Sequence, residues 1–217
     1  MLVQVLKVAV KIGLPVLIAA FALPAFAEDV TFTTTGEFFC GTVAGTCSTS
    51  NGGTTMTITN GGGTTTVNVA GDSYVNLLAG NPAVDDVNVA QFTSTATTGA
   101  AVNTAGATFE LIFKETGPVA GSGDLVGDFS GTMGNKSKTG GSTITFGGTA
   151  NNPPSVPIGG VLYSLDANST NIGNPGIGTT GANQITATVT PEPTFMALTG
   201  LGFAGLAFVA YRRRRVV

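Results

Sequence analysis

The chain has 217 residues, with nine Lys and Arg, twelve Asp and Glu, no His and no Trp, for a formal net charge of −3. The missing histidine excludes Ser-His-Asp and Cys-His chemistry and His-ligated zinc, because it removes the commonest acid–base group near neutral pH and the commonest metal ligand. Between Glu28 and Thr190 three lysines stand against eleven acids, a net of −8; so acidic a body repels a phosphate backbone, which excludes nucleic acid as a partner.

The first predicted element is apolar and basic. Lys7 and Lys11 lead into the uncharged run Ile12 to Leu23, followed by Pro24 and Ala25-Phe26-Ala27. A charged start, an apolar stretch of about a dozen residues and a small-x-small site make the order of a secretory signal peptide. The expectation is a signal helix over residues 1–27, passed through Sec-type export machinery and cut between Ala27 and Glu28. Ala25 and Ala27 are the small residues read by the peptidase. The alternative, an uncleaved N-terminal membrane helix, has no use for a cleavage site.

Residues 28–190 are rich in Thr, Gly, Ser, Asn and Ala. Val30 to Phe39 is the first predicted strand. Cys40 and Cys47 follow and are the only cysteines. An even pair in an oxidising compartment reads as a structural disulfide, contributing roughly 2–3 kcal/mol for so short a loop. A redox or metal pair is the alternative, but neither C-x-x-C spacing nor a histidine supports it. Thr54 to Thr59 and Thr64 to Ala70 come next. Asn51-Gly52-Gly53 and Asn60-Gly61-Gly62-Gly63 supply residues that tolerate the positive φ of tight hairpins.

Further along, Ser73 to Ala79, Val87 to Thr93 and Ala107 to Lys114 alternate. In the last of these Phe109, Leu111 and Phe113 share one face, with Glu110 and Lys114 on the other. Leu125 to Thr132, Ser142 to Gly147, Gly160 to Asp166 and Gln184 to Val189 complete the set, and Asn152-Pro153-Pro154 forces a link that is not a strand. About ten short β-branched or aromatic runs bounded by turn residues predict an all-β fold, a single β-sandwich or jelly roll.

Several acids invite chemistry. Asp85, Asp86, Asp124 and Asp128 are candidates for calcium, which carboxylates and loop carbonyls bind, although their spacing is not that of an EF-hand. Solvated strand ends and turns explain the same residues. Glu37, Glu110 and Glu115 are candidates for the carboxylate pair of a glycosidase. Glu110 and Glu115, separated by an odd number, fall on opposite faces of one strand and make a poor pair. Tyr74 and Tyr163 are the only tyrosines of this region, so rings for stacking on sugars are few, and the phenylalanines are simply core. Asn135-Lys136-Ser137 and Asn168-Ser169-Thr170 match the glycosylation sequon, a frequent accident in so polar a chain. No catalytic group and no cofactor is expected.

The last predicted strand runs almost directly into Pro191-Glu192-Pro193. Phe195 to Tyr211 is uncharged, and Arg212, Arg213, Arg214 and Arg215 follow. As a transmembrane helix those 17 residues would span roughly 25 Å. Gly200, Gly202 and Gly205 weaken the helix and allow close packing. The arginines hold the C-terminus on the cytoplasmic side, so both ends of the chain place residues 28–190 outside the cytoplasm. Helix and arginines alone describe a plain single-pass anchor.

The ordered tail from Pro191 to Val217, with a signal peptide at the other end, resembles the PEP-CTERM sorting signal of Gram-negative bacteria. What the resemblance implies is a route. An exosortase, an enzyme of the inner membrane, recognises Pro191, Glu192 and Pro193, removes the helix and passes the protein to the cell surface or extracellular matrix. Such proteins are often found with exopolysaccharide and biofilm systems. On this reading the chain is a substrate and not the enzyme, a non-enzymatic exported protein. The alternatives are a carbohydrate- or calcium-binding module at the surface, or an enzyme acting on glycan.

Overall fold

Hydroxyl and apolar residues alternate through most of the middle of the chain, and a period of two sends them to opposite faces of a strand. A computed structural model shows the consequence. It describes residues 27–80, 84–96, 100–117, 119–134, 141–149, 152–173 and 180–191, with Gly200, Gly202, Phe203, Gly205 and Leu206 helical near the C-terminus. The signal segment up to Phe26, Asn135, and nearly all of the tail beyond Pro191 lie outside the described residues. Among those described, no helix is long and apolar enough to cross a membrane.

Among the described residues fourteen strands form: β1 (Ala27–Phe39), β2 (Thr46–Ser50), β3 (Thr55–Asn60), β4 (Gly63–Gly71), β5 (Ser73–Gly80), β6 (Val84–Ala96), β7 (Val102–Asn103), β8 (Thr108–Gly117), β9 (Gly121–Met133), β10 (Gly141–Phe146), β11 (Ser155–Ile158), β12 (Val161–Leu165), β13 (Ser169–Gly173) and β14 (Thr180–Pro191). The all-β expectation is met. All ten predicted strands are present; β2, β7, β11 and β13 are additional. β9 begins at Gly121 rather than Leu125, and β1 begins at Ala27, so the predicted cleavage point falls at the first residues of a strand.

Two antiparallel sheets result. Sheet one runs β13-β10-β9-β8-β1-β5, with β7 paired to β9, and sheet two runs β11-β12-β14-β6-β4-β3-β2. Here β2-β3-β4 and β8-β9-β10 are meanders, each within one sheet. The β3–β4 hairpin turns on Gly61 and Gly62 at φ +58° and +82°, and Asn51 takes φ +53° in the β2–β3 turn, as the sequence required.

Inward side chains of both sheets make one core. Phe32, Phe38, Phe109, Leu111 and Phe113 from sheet one meet Met56, Ile58, Phe92, Tyr163 and Leu165 from sheet two, all buried. Phe92 crosses the gap to stack edge-on against Phe109, with ring centroids 5.1 Å apart. The buried hydroxyls are partnered, as a low-dielectric interior demands. Thr34 donates to the carbonyl of Val89 at 2.5 Å, Thr65 to that of Thr95 at 3.1 Å, and Ser94 to that of Gly173 at 2.9 Å. Thr104 and Ser142 share a hydrogen bond between sequence-distant loop and strand.

Candidate functional site

Three features stand out from the frame: a carboxylate in the core, acids on one outer face, and an uncharged half of the other outer face.

Counting by two along β8 carries the inward face from Phe109, Leu111 and Phe113 to Glu115, which is 1% exposed. Tyr163 of β12, itself fully buried, donates its hydroxyl to Glu115 Oε2 at 2.9 Å. The rings of Phe32 and Phe113 lie 5.0 and 5.1 Å from that of Tyr163. In the β11–β12 turn Gly159 sits at φ +60°, and a Cβ there would stand 3.0 Å from Glu115 Oε1, so glycine leaves room for the carboxylate. Burial, then the hydrogen bond and the charge of Glu115, push the Tyr163 hydroxyl far above its ordinary titration range. Neither group reaches solvent, so the pair braces the two sheets rather than meeting a substrate. The sequence reading placed Glu115 across the strand from Glu110, and the structure agrees. It did not find Tyr163 as the partner.

The outer face of sheet one gathers the other acids. Glu37 on β1 stands directly opposite Glu110 on β8, and Glu110 is opposite Val126 on β9. Asp124 and Asp128, two residues either side of Val126, share its outward face and are exposed. Burial, then the charges of Asp124 and Glu37, raise the Glu110 carboxyl above its usual range. Like charges directly opposite in a ladder are destabilising. The structure therefore brings Glu37, Glu110 and Asp124 together and keeps Glu115 on the other face. The Glu37 and Glu110 neighbours lie on an open sheet face, whereas a glycosidase sets its carboxylates on either side of a bound sugar.

Asp85 and Asp86 stand near the start of β6 in sheet two, a different sheet from that of Asp124 and Asp128, and Asp86 is exposed at φ +59°. No group of three or more acids or cysteines among the described residues is arranged to hold a metal ion. Cys40 and Cys47 do form a disulfide, with Cα atoms 5.6 Å apart. It ties the end of β1 in sheet one to β2 in sheet two, a link across the layers that spacing alone did not reveal. Asn168 of the second sequon accepts, through its carbonyl, the N–H of Phe146 at 2.8 Å in the β12–β13 connection.

The outer face of sheet two is the third feature. Rows of hydroxyls and amides cross its strands. Thr55 donates to Asn68 Oδ1 at 2.9 Å, Thr57 and Thr66 bond at 3.2 Å, and Thr59 and Thr64 at 3.0 Å. Ser50, Ser48 and Thr46 of β2 pair with Thr55, Thr57 and Thr59 and extend the rows outward. From Cys40 to Gly71 the chain has no charged residue, so this half of the face is neutral.

Of the sorting residues, Pro191 is described. It ends β14 and pairs with Val161 of β12. At the terminal residue of a strand the missing N–H of a proline is tolerated. Ala25, Glu192, Pro193 and Arg212 to Arg215 lie outside the described residues. Comparison with family models, with curated proteins and with solved structures finds no match to this chain.

Proposed function

We propose that this chain is a non-enzymatic exported protein of the cell surface or extracellular matrix of a Gram-negative bacterium, delivered by exosortase through its C-terminal tail. The observation that carries the reading is the ordered tail set against the end of the fold. β14 runs without a linker into Pro191, so the folded body abuts the motif that an inner-membrane enzyme would grip. The Cys40–Cys47 disulfide supports export, since such bonds persist in oxidising compartments. The one core carboxylate among the described residues is sealed there, and the surface acids sit on an open face, which supports a structural role over catalysis. The protein would pass through an inner-membrane intermediate and then associate with exopolysaccharide or biofilm.

Replacing Pro191, Glu192 and Pro193 together by alanine tests this. Cell fractionation should find the full-length protein retained at the inner membrane, while the unmodified chain is shortened and moves outward. Equal processing of both would end the sorting proposal.

One observation favours a second reading, a carbohydrate-binding module. The neutral rows of threonine and asparagine on sheet two offer many hydroxyl donors and acceptors to an uncharged polymer. Glycan-array binding that is lost on changing Thr57 and Thr66 to valine would support it; an empty array leaves the structural role.

A further inference from the structure

Each sheet edge presents a row of unpaired backbone N–H and C=O groups, and proteins normally blunt it. Among the described residues the two sheets have four edges, and three of them carry a blunting or tethering feature. β11 carries Pro157, which has no N–H to offer. β13 is covered from the other sheet, where Asn183 donates to the carbonyl of Asn171 and Ser94 to that of Gly173. β5 is latched by Tyr74, whose hydroxyl donates to the carbonyl of Asn88 in β6 at 2.7 Å.

β2 has none of these devices. Its five residues are Thr46, Cys47, Ser48, Thr49 and Ser50, without charge or proline, and four of the five are exposed. Its one partner strand among the described residues is β3. The Cys40–Cys47 disulfide fastens this edge to the end of β1, so the strand is held extended rather than left to fray.

We propose that the open edge of β2 is an interaction surface for a second copy of this chain, pairing antiparallel β2 to β2 about a two-fold axis beside Ser48. Three observations select this occupant. The region from Glu28 to Thr190 carries a net charge of −8, which repels copies from one another, yet Cys40 to Gly71 is free of charge, so copies approach most easily here. A two-fold pairing sets Ser48 against Ser48 and Thr46 against Ser50, hydroxyl facing hydroxyl, as Thr57 faces Thr66 within the sheet. A foreign peptide added to an edge gains specificity from pockets for alternate side chains; here Thr49, on the inward-facing side, is itself exposed.

The pairing would carry the neutral face of sheet two across the dimer, and it stands whether or not the sorting reading is right. An edge about 17 Å long forms a small interface, so the dimer is weak and concentration-dependent.

Sedimentation of the full chain in detergent over a concentration series is the test. The expected result is a mass rising from monomer toward dimer. Ser48→Lys, which sets two like charges against each other on the axis, should weaken association by roughly tenfold or more. Thr145→Lys, the same charge change on an exposed position of sheet one, should associate as the unmodified chain does. Thermal melting of both variants near that of the parent shows that the fold survives. Hydrogen exchange adds a readout on the edge itself, with β2 amides gaining protection as concentration rises. A chain that stays monomeric, or equal association of S48K and the parent, overturns the proposal; the second result would assign association to the apolar ends instead.

Discussion

Tyr163 shows what one hydroxyl does in a sealed core. Its proton is held by the Glu115 carboxylate, and ionising it would place a second negative charge beside the first, away from water. Its folded-state titration is thus raised above the ordinary value of 10.0. The sign follows from linkage: the contribution is complete below the unfolded value, near pH 10, and is lost as pH rises beyond it. Denaturant unfolding of the parent should therefore fall steeply above pH 10. Tyr163→Phe should be less stable at neutral pH by about 1–3 kcal/mol, the cost of removing a donor from a buried acceptor, with a shallower alkaline fall. Equal stability of the two at neutral pH would contradict the role given to the pair. Half of this pair was legible in the sequence. The alternation of Phe109, Leu111 and Phe113 reaches Glu115, which fixes its inward direction. Its partner lies 48 residues away in the other sheet, and a contact between layers leaves no local pattern. The opposition of Glu37 and Glu110 was hidden for the same reason, since strand register is set by pairing and not by spacing along one strand.

At the scale of the element, the strands that alternate between apolar and polar residues were readable, and those that do not were missed. β2 is exposed at four of its five residues and has no apolar alternation to reveal it. β11 contains a proline, and β13 has a single apolar residue, Ile172, among its five. The start of β9, Gly121-Ser122-Gly123-Asp124, resembles a turn. Its glycines are strand positions where the opposing layer takes the space, because a Cβ at Gly121 would come within 2.7 Å of Ile158 Cγ2. Gly36 in the middle of β1 is a similar case at the centre of the core. A Cβ there would stand 2.6 Å from Phe109 Cε2 and 2.9 Å from Val69 Cγ2, neither of which is a free end. Gly36→Ala should cost about 1–3 kcal/mol through forced repacking, although alanine is the better residue for an unstrained backbone. Thermal melting checks it, and an unchanged or raised midpoint would show that the sheets are less closely apposed at this point.

For the whole molecule, fold class came from period and turn residues, while strand order came from neither. Ten runs of alternation announce an all-β body, but they do not say which strands are neighbours, and the meanders of each sheet appear only once pairing is known. The ends of the chain carry the functional proposal, and the body between them supports it with a cross-layer disulfide and a last strand that delivers Pro191 to the edge of the fold. The most direct measurement is the intact mass of the protein recovered from the cell surface, with both termini sequenced. A chain that begins at Glu28, holds Cys40 and Cys47 oxidised and lacks the apolar run Phe195 to Tyr211 is the predicted result. A chain that begins at Met1, or that keeps Arg212 to Arg215 at the surface, would contradict export and tail-directed release.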